Sequence, residues 1–291
     1  MSNKRFVLVT GATGQQGGAV AKALLAKGHR VRGITRNVSS EKAKALVEAG
    51  AEMVAGDFTH PESLVQAAKG VDSMYAMTTP FESGMEAETA QGLALIKTAK
   101  EAGVGHLVYS SVGDADEATG IPHFDSKYEV EKALAESGVP YSISAPVYFM
   151  DNLLAPWTLP GLKDGTLSAA MPGDRKLQQV SVANIGDFAV ALFERRQQVF
   201  GQRFNIAGDE LTHNELVAVL SEITGRQINY QGFTVEAMKA QNEDMGLMYE
   251  WFDKSGYSAK ISALKKHFPE VGWQDFKTWA SGLDWTSLLG S

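Results

Sequence analysis

Short apolar runs alternate with longer amphipathic stretches through the first half of the chain. The run Phe6–Val9 is aliphatic and aromatic and ends close to a glycine, which is typical of a strand buried on both faces of a sheet. A helical pattern follows over residues 16–27, where Val20 and Leu24 share one face and Gly28 stands at the position of a left-handed C-cap. The alternation continues with predicted strands over residues 30–35, 52–55, 72–77, 106–110 and 141–145 and predicted helices over residues 40–49, 61–69, 85–102 and 124–137. This order predicts a doubly wound α/β fold with a parallel sheet.

The alternation breaks after Pro146. Segments punctuated by proline and glycine follow, and they predict loops and short helices. We expect a strand over residues 179–182, a helix over 185–195 and a strand over 203–206 to return to the main sheet. Residues 211–224 and 234–285 are mostly helical in pattern. We therefore expect a main domain over residues 1–150, with returning elements near 178–206, and a smaller, mostly helical C-terminal lobe over residues 151–177 and 207–291.

Composition narrows the possible functions. The formal net charge is −7, so the chain has no global positive field to hold nucleic acid or an anionic membrane. The absence of cysteine excludes disulfides, thiolate nucleophiles and cysteine-ligated metal sites, and any redox chemistry must come from a cofactor. The apolar run at the N-terminus is too short for a signal-peptide core or a membrane span. We therefore expect a cytoplasmic protein that binds neither nucleic acid nor membranes directly.

The turn between the first predicted strand and the first predicted helix carries the strongest chemical signal. It consists of Gly11, Ala12, Thr13, Gly14, Gln15, Gln16 and Gly17. Glycines at this spacing allow a tight turn, a close approach of the backbone to a pyrophosphate, and close packing of helix on strand. Free N–H groups at the start of the helix would then face the phosphates. The turn therefore predicts a dinucleotide-binding Rossmann fold, although a purely structural turn would have the same spacing.

The ends of the following strands supply candidates for the rest of the dinucleotide. At the end of the second strand an acidic residue would receive the adenosine ribose hydroxyls of NAD. The chain has Arg36 there, and a guanidinium suits a 2′-phosphate, so NADP(H) is the predicted cofactor. A solvated arginine is the alternative. Further candidates are Asp57 and Phe58 near the adenine, where a simple turn would look identical, and Thr78, Thr79 and Pro80 near the nicotinamide ribose.

Aromatic residues in the second half have two possible roles. Tyr148, Phe149 and Asn152 follow the sixth predicted strand, at the rim where cofactor and substrate should meet, and we expect them to line the pocket. A larger set could line a pocket for a flat substrate, but core packing of a helical lobe is the favoured interpretation. That set is Trp251, Phe252, Tyr257, Trp273, Phe276, Trp279 and Trp285.

Taken together, these motifs resemble the NmrA-like branch of the atypical short-chain dehydrogenase/reductase superfamily. The resemblance spans nearly the whole chain and includes the glycine turn, Thr35-Arg36-Asn37, Gly56-Asp57, Tyr109-Ser110-Ser111, His123-Phe124-Asp125-Ser126-Lys127, Val180-Ser181-Val182, Asp187 and residues 212–225. It extends to an NADPH-sensing member of the branch around residues 118–131 and 148–154. Ala90 stands where that member has a lysine near the nicotinamide.

The resemblance also implies where a catalytic pair would lie. Orthodox members of the superfamily use Tyr-x-x-x-Lys, in which the phenol exchanges the substrate proton and the lysine holds the ribose hydroxyls. Tyr128 and Lys132 have this spacing, but the register of the surrounding motif indicates His123 and Lys127 instead. Lys127 would bind the ribose, with an exposed helical lysine as the alternative. His123 could act as a general acid or have no chemical role.

Three functions follow from the resemblance. The first is an NADPH-dependent reductase of a small conjugated acceptor such as a quinone, since a delocalised product anion does not require the tyrosine acid. The second is a non-enzymatic NADP(H) sensor that acts on a regulatory protein partner, for which a degraded catalytic motif is expected. A sugar-nucleotide epimerase is disfavoured because it needs a base in place of His123. The sequence slightly favours the reductase and leaves the oligomeric state open.

Overall fold

A seven-stranded parallel sheet forms the centre of the computed structural model, which describes residues 4–290. The strands are β1 (Phe6–Val9), β2 (Arg30–Thr35), β3 (Glu52–Ala55), β4 (Ser73–Met77), β5 (Leu107–Ser110), β6 (Tyr141–Pro146), β7 (Tyr148–Phe149), β8 (Thr166–Ala169), β9 (Lys176–Val180), β10 (Arg203–Ile206), β11 (Asp209–Thr212) and β12 (Asn229–Gly232). The central sheet has the order β10-β6-β5-β4-β1-β2-β3. This confirms the doubly wound Rossmann fold, with the chain reversing direction across the sheet between β1 and β4.

Helices cover both faces of this sheet. They are α1 (Gln15–Ala26), α2 (Glu41–Glu48), α3 (Pro61–Ala68), α4 (Pro80–Ser83), α5 (Met85–Glu101), α6 (Pro122–Glu136), α7 (Leu159–Lys163), α8 (Val182–Arg195), α9 (His213–Thr224), α10 (Val235–Gln241), α11 (Glu243–Lys254), α12 (Ile261–His267), α13 (Phe276–Ser281) and α14 (Trp285–Leu289). One core lies between the sheet and helices α1 and α8, and a second lies between the sheet and helices α3, α5 and α6. The apolar strand β1 is buried on both faces for this reason: Val7, Leu8 and Val9 are fully buried.

The strand order places the switch point between β1 and β4, and in such sheets a crevice lies outside the carboxyl ends of these strands. Thr10 follows β1, and its hydroxyl donates to the carbonyl oxygen of Met77 at the end of β4 over 2.8 Å. The same hydroxyl oxygen accepts the N–H of Met77, also over 2.8 Å. These bonds hold the two strand ends together. In open α/β sheets, ligands bind outside the strands at this position.

The prediction that residues 179–182 return to the main sheet is wrong. The strand there is β9, which pairs with β7 and β11 in a separate three-stranded sheet, and Val182 already begins α8. The edge of the central sheet beside β6 is occupied by β10, as predicted for residues 203–206. The side-chain amide of Gln178 in β9 is buried and needs hydrogen-bond partners. In the separate sheet it accepts the N–H of Ala259 and donates to the carbonyl of Ala259.

The C-terminal part is mostly helical, as predicted, but it also contains short strands. β8 and β12 form a parallel pair, and β11 takes residues 209–212, so the helix predicted from residue 211 begins at His213. Thr212 caps that helix in a reciprocal box with Glu215. Across residues 4–290, no helix combines the length and the apolar character that crossing a bilayer would require.

Candidate functional site

The predicted phosphate turn has the geometry of an anion cradle. Gly11 adopts a φ of +61°, and a side chain there would collide with the Met77 sulfur. A side chain on Gly17 would collide with the backbone of Thr10 and Gly11, so only glycine allows α1 to start this close to β1. Gly14 precedes α1 without any side-chain cap, and the first turn carries no acidic residue. The N–H groups at this helix end are therefore available to a diphosphate.

The other residues of this turn divide into exposed and buried positions. Gln15 is exposed and Thr13 is half-buried, so both can face a ligand. Gln16 is buried, and its side-chain oxygen accepts a hydrogen bond from the Ser110 hydroxyl over 3.0 Å. Gln16 therefore connects the start of α1 to the end of β5.

The residues predicted for the adenosine end lie at the ends of β2 and β3. Arg36 is exposed and its guanidinium lies 3.0 Å from the carboxylate of Glu82 in α4. Asp57 accepts both the N–H and the hydroxyl of Thr59 through one carboxylate oxygen, each over 2.8 Å. These bonds from Thr59 hold the pKa of Asp57 below its ordinary value. Phe58 is half-buried and packs against the core beneath helices α3, α5 and α6.

The residues after β4 lead directly into the short helix α4. Thr78 is buried, Thr79 caps α4 by accepting the N–H of Phe81, and Pro80 begins the helix. Phe81 is 73% exposed, and its ring centroid lies 5.9 Å from that of His123. An apolar side chain this exposed beside the predicted site offers a flat surface for a ligand.

Lys127 lies in α6 and points across the ends of β4 and β5. Its ammonium group lies 2.8 Å from a carboxylate oxygen of Glu88 and donates to the Thr78 carbonyl over 2.7 Å. A longer bond of 3.4 Å reaches the Ser110 carbonyl. Burial lowers the pKa of Lys127, and the Glu88 carboxylate opposes that shift. The lysine is thus largely buried in a polar network rather than exposed on the helix.

Glu88 is the centre of this network, and sequence reasoning missed it. The residue is fully buried in α5 and accepts hydrogen bonds from the hydroxyls of Ser126, over 2.6 Å, and Thr78, over 3.2 Å. A buried carboxylate requires such partners. A single glutamate in a helical run carries no sequence signal for this role, because its partners come from two other elements.

His123 lies one turn before Lys127 and contacts Asp244, a second residue that sequence reasoning missed. The imidazole Nδ1 lies 2.6 Å from one carboxylate oxygen of Asp244. The other oxygen accepts the His123 backbone N–H over 3.1 Å. Burial opposes ionisation of Asp244, but the His123 contacts outweigh it and hold the pKa of Asp244 below its ordinary value. Asp244 belongs to α11, in a part of the chain that local pattern could not connect to α6.

Lys132, which has the Tyr-x-x-x-Lys spacing with Tyr128, is more exposed than Lys127. Lys132 pairs with Glu129 over 2.6 Å on the outer side of α6, and both side chains are about half exposed. Its ammonium group also lies 5.3 Å from the centre of the Tyr128 ring. Lys132 thus makes its contacts on the surface of α6, whereas Lys127 reaches the ends of β4 and β5.

Tyr148, Phe149 and Asn152 follow β6 as predicted from the sequence. Burial raises the pKa of Tyr148, against hydrogen bonds to Tyr249 and Asn152. The Tyr148 ring meets Phe252 edge-on at 6.2 Å. Trp251, Phe252 and Tyr257 pack with Phe124 of α6 in one cluster, whereas Phe276, Trp279 and Trp285 fill the core of the helical lobe.

Comparison with known proteins identifies the family. The sequence profile of the NmrA-like family matches residues 3–281. The chain belongs to the NmrA-like family. Quinone oxidoreductase 2 of Escherichia coli is 28% identical, with 83% of this chain and 82% of that protein covered. The crystal structure of an NADPH-dependent quinone oxidoreductase from E. coli, complexed with NADPH, is 26% identical, has a TM-score of 0.73 and covers 95% of this chain and 99% of its own.

Two further NmrA-like relatives differ in what their names describe. A (4-alkanoyl-5-oxo-2,5-dihydrofuran-3-yl)methyl phosphate reductase of Streptomyces griseus is 30% identical, covering 80% of this chain and 79% of its own. NmrA, described as a negative transcriptional regulator, was solved in complex with NADP. Its TM-score is 0.80 at 20% identity, covering 98% of this chain and 100% of its own, which shows the shared fold alone.

Proposed function

We propose that this NmrA-like protein is an NADPH-dependent reductase of small conjugated acceptors, of which quinones are the model. The observation that carries the proposal is the arrangement at the carboxyl edge of the sheet. An uncapped helix end, at the start of α1, lies at the same edge as a histidine paired with a carboxylate, His123 with Asp244. The helix end suits a dinucleotide phosphate, and the pair of histidine and carboxylate suits proton exchange with a bound acceptor.

The residues of the site fit NADP(H). Backbone N–H groups after Gly14 would hold the diphosphate, and Arg36 would receive the 2′-phosphate. Thr78, Thr79 and Pro80 would hold the nicotinamide ribose, and the Lys127 ammonium group contacts Thr78. The cofactor supplies a hydride when bound. The family relatives solved with NADPH or NADP support the same assignment.

The acceptor side favours a flat, conjugated molecule. Phe81 is exposed beside His123. Tyr148 and Phe149 in β7 would supply further aromatic surface to the acceptor. Aromatic side chains bind planar rings by offset stacking. The names of two relatives, a quinone oxidoreductase and a reductase of an unsaturated lactone, describe acceptors of this chemical type.

Two measurements test the proposal. Calorimetry should detect NADPH binding with a preference over NADH, and Arg36→Ala should remove the preference without removing binding of both nucleotides. Loss of NADPH absorbance should then depend on an added acceptor drawn from a panel of quinones, enones and dyes. Failure to bind either nucleotide would contradict the cofactor assignment. Binding without turnover of any acceptor would contradict the reductase assignment.

One observation favours the alternative of an NADP(H) sensor. The Lys127 ammonium group donates to the Thr78 carbonyl and pairs with Glu88, so these contacts, rather than proton exchange with a substrate, account for its burial. A sensor needs cofactor binding but no proton exchange with a substrate. Wild-type turnover separates the two: a reductase consumes NADPH when an acceptor is added, whereas a sensor binds NADPH and consumes none.

A further inference from the structure

Asp244 makes two contacts with a single residue of another element. Its two carboxylate oxygens contact the Nδ1 atom and the backbone N–H of His123. We propose that Asp244 is a positioning residue that keeps His123 protonated at Nδ1, so that Nε2 is the nitrogen that exchanges a proton with the acceptor. This inference rests on the proposed reductase function and adds to it the group that aligns the acid.

The two contacts restrain the position of the imidazole and favour one tautomer. The Asp244 oxygen lies 2.6 Å from Nδ1 without meeting the direction of a hydrogen bond, and its negative charge favours a proton over a lone pair on that nitrogen. A neutral imidazole is protonated at only one nitrogen, so Nε2 then carries the lone pair. The imidazole side chain is 11% exposed, and the rings of Phe124, at 4.8 Å, and Phe81, at 5.9 Å, flank it. Rotation of the ring away from Asp244 is therefore restricted.

Asp244 is the carboxylate in contact with His123. A neighbouring carboxylate with this function aligns the histidine and does not itself take up the proton.

The proposed step balances in atoms and charge. A bound nicotinamide cofactor, as the two-electron reductant, would supply a hydride and become oxidised, and the reduced acceptor would then be an anion. The bond between Nε2 of the imidazolium and its proton breaks, and an O–H bond forms on the acceptor. Neutral His123 remains, with its proton on Nδ1 beside the Asp244 carboxylate, and solvent returns a proton to Nε2. The acceptor therefore gains two electrons and two hydrogens.

The direct test reads the tautomer of His123 in the cofactor-free protein. Nitrogen-15 NMR at about pH 8.5, two units above the ordinary histidine pKa, distinguishes Nδ1–H from Nε2–H. The His123→Gln variant assigns the signal among the six histidines of the chain. We expect Nδ1–H in the wild type. In Asp244→Asn, whose amide can donate to Nδ1, we expect a shift towards Nε2–H. A wild-type protein with Nε2–H would overturn the proposal without any variant at Asp244.

The second test uses turnover. Asp244→Asn should lower kcat by about 100-fold, at the lower end of what a positioned general acid contributes, and leave the KM for NADPH unchanged. Glu243→Gln is the matched control, because it removes the same charge from an exposed neighbour on α11. A purely structural role, in which Asp244 only caps α6 through the His123 N–H, would lower thermal stability and leave the tautomer unchanged. That result would contradict the proposal.

The two proposals fail in different ways. If the tautomer responds to Asp244→Asn but the wild type reduces no acceptor, the reductase function fails and the positioning of His123 stands. If the wild type reduces quinones and Asp244→Asn keeps both its tautomer and its kcat, the reductase function stands and the role of Asp244 fails.

Discussion

At the scale of single residues, the ion pair between Arg36 and Glu82 joins two parts of the crevice that sequence reasoning treated separately. Arg36 directly follows β2, whereas Glu82 belongs to α4, the short helix that also carries Phe81. The two charged groups lie 3.0 Å apart, and both side chains are more than half exposed. A 2′-phosphate that binds Arg36 must therefore compete with the carboxylate of Glu82.

We expect Glu82→Gln to strengthen NADPH binding by about two- to five-fold, the effect of an exposed ion pair, and to leave NADH binding unchanged. The reason is that the variant removes a competing and repelling charge beside the 2′-phosphate. Isothermal calorimetry with both nucleotides measures the effect. Glu86→Gln is the control, because Glu86 is an exposed acid four residues further along the chain. Equal strengthening by both variants would indicate a general charge effect rather than competition at Arg36.

Part of the site could be predicted from the sequence. Gly11, Gly17 and Arg36 lie at the ends of strands and helices, so their spacing in the sequence predicted where they lie. Glu88 and Asp244 are placed by tertiary packing, since one reaches Lys127 from α5 and the other reaches His123 from α11. No local pattern distinguishes these acids from the other carboxylates on the same helices. Their roles depend on contacts between elements far apart in sequence.

At the scale of elements, the close crossing of α1 and α8 supports the phosphate turn. Gly186 faces α1, and a Cβ atom there would lie 2.8 Å from the Ala19 carbonyl oxygen and 3.3 Å from the Ala23 Cβ. Both helices cover the same face of the sheet. The glycine therefore sets how closely α8 packs against the helix that begins the cofactor site.

Gly186→Ala should destabilise the protein by about 1–2 kcal/mol, because forced repacking outweighs the usual gain from replacing glycine within a helix. Urea denaturation measures the free energy of unfolding. Ala183→Val is the control: it adds bulk at an exposed position of α8 and should change stability by less than about 0.5 kcal/mol. A stabilised Gly186→Ala variant would show that the two helices can separate at little cost.

Elements also differ in how well their sequence predicts their partners. β2 and β10 were predicted with their observed bounds, because each is a short segment with apolar residues that follows a helical pattern. β9 contains Gln178 and Gln179, both buried, and its place depends on polar partners such as Ala259 and Glu210. Periodicity identified a strand there, but it carries no information on which sheet will satisfy buried amides.

At the scale of the whole molecule, two buried histidines couple stability to pH. His106 precedes β5 and lies between the rings of Phe193 and Phe200, and burial lowers its pKa to about 3. His213 begins α9 and stacks on Tyr230, and burial lowers its pKa to about 4. The unfolded chain takes up a proton at each histidine near pH 6.5, whereas the folded chain resists protonation until much lower pH.

Above about pH 6.5, each histidine should therefore leave the free energy of unfolding unchanged. Below that pH, each should lower the free energy of unfolding by about 1.4 kcal/mol per pH unit until the pH reaches its folded-state pKa. Carboxylates also titrate in this range, so the test compares variants by urea denaturation between pH 7 and about pH 4.5. His213→Gln should remove the contribution of one histidine from the slope of the free energy of unfolding against pH. His267→Gln, at an exposed position, should leave that slope unchanged. Parallel curves for the wild type and His213→Gln would contradict burial of a neutral imidazole at α9. A reduced slope would show that protonation of His213, in the C-terminal lobe that also carries Asp244, contributes to the loss of stability in acid.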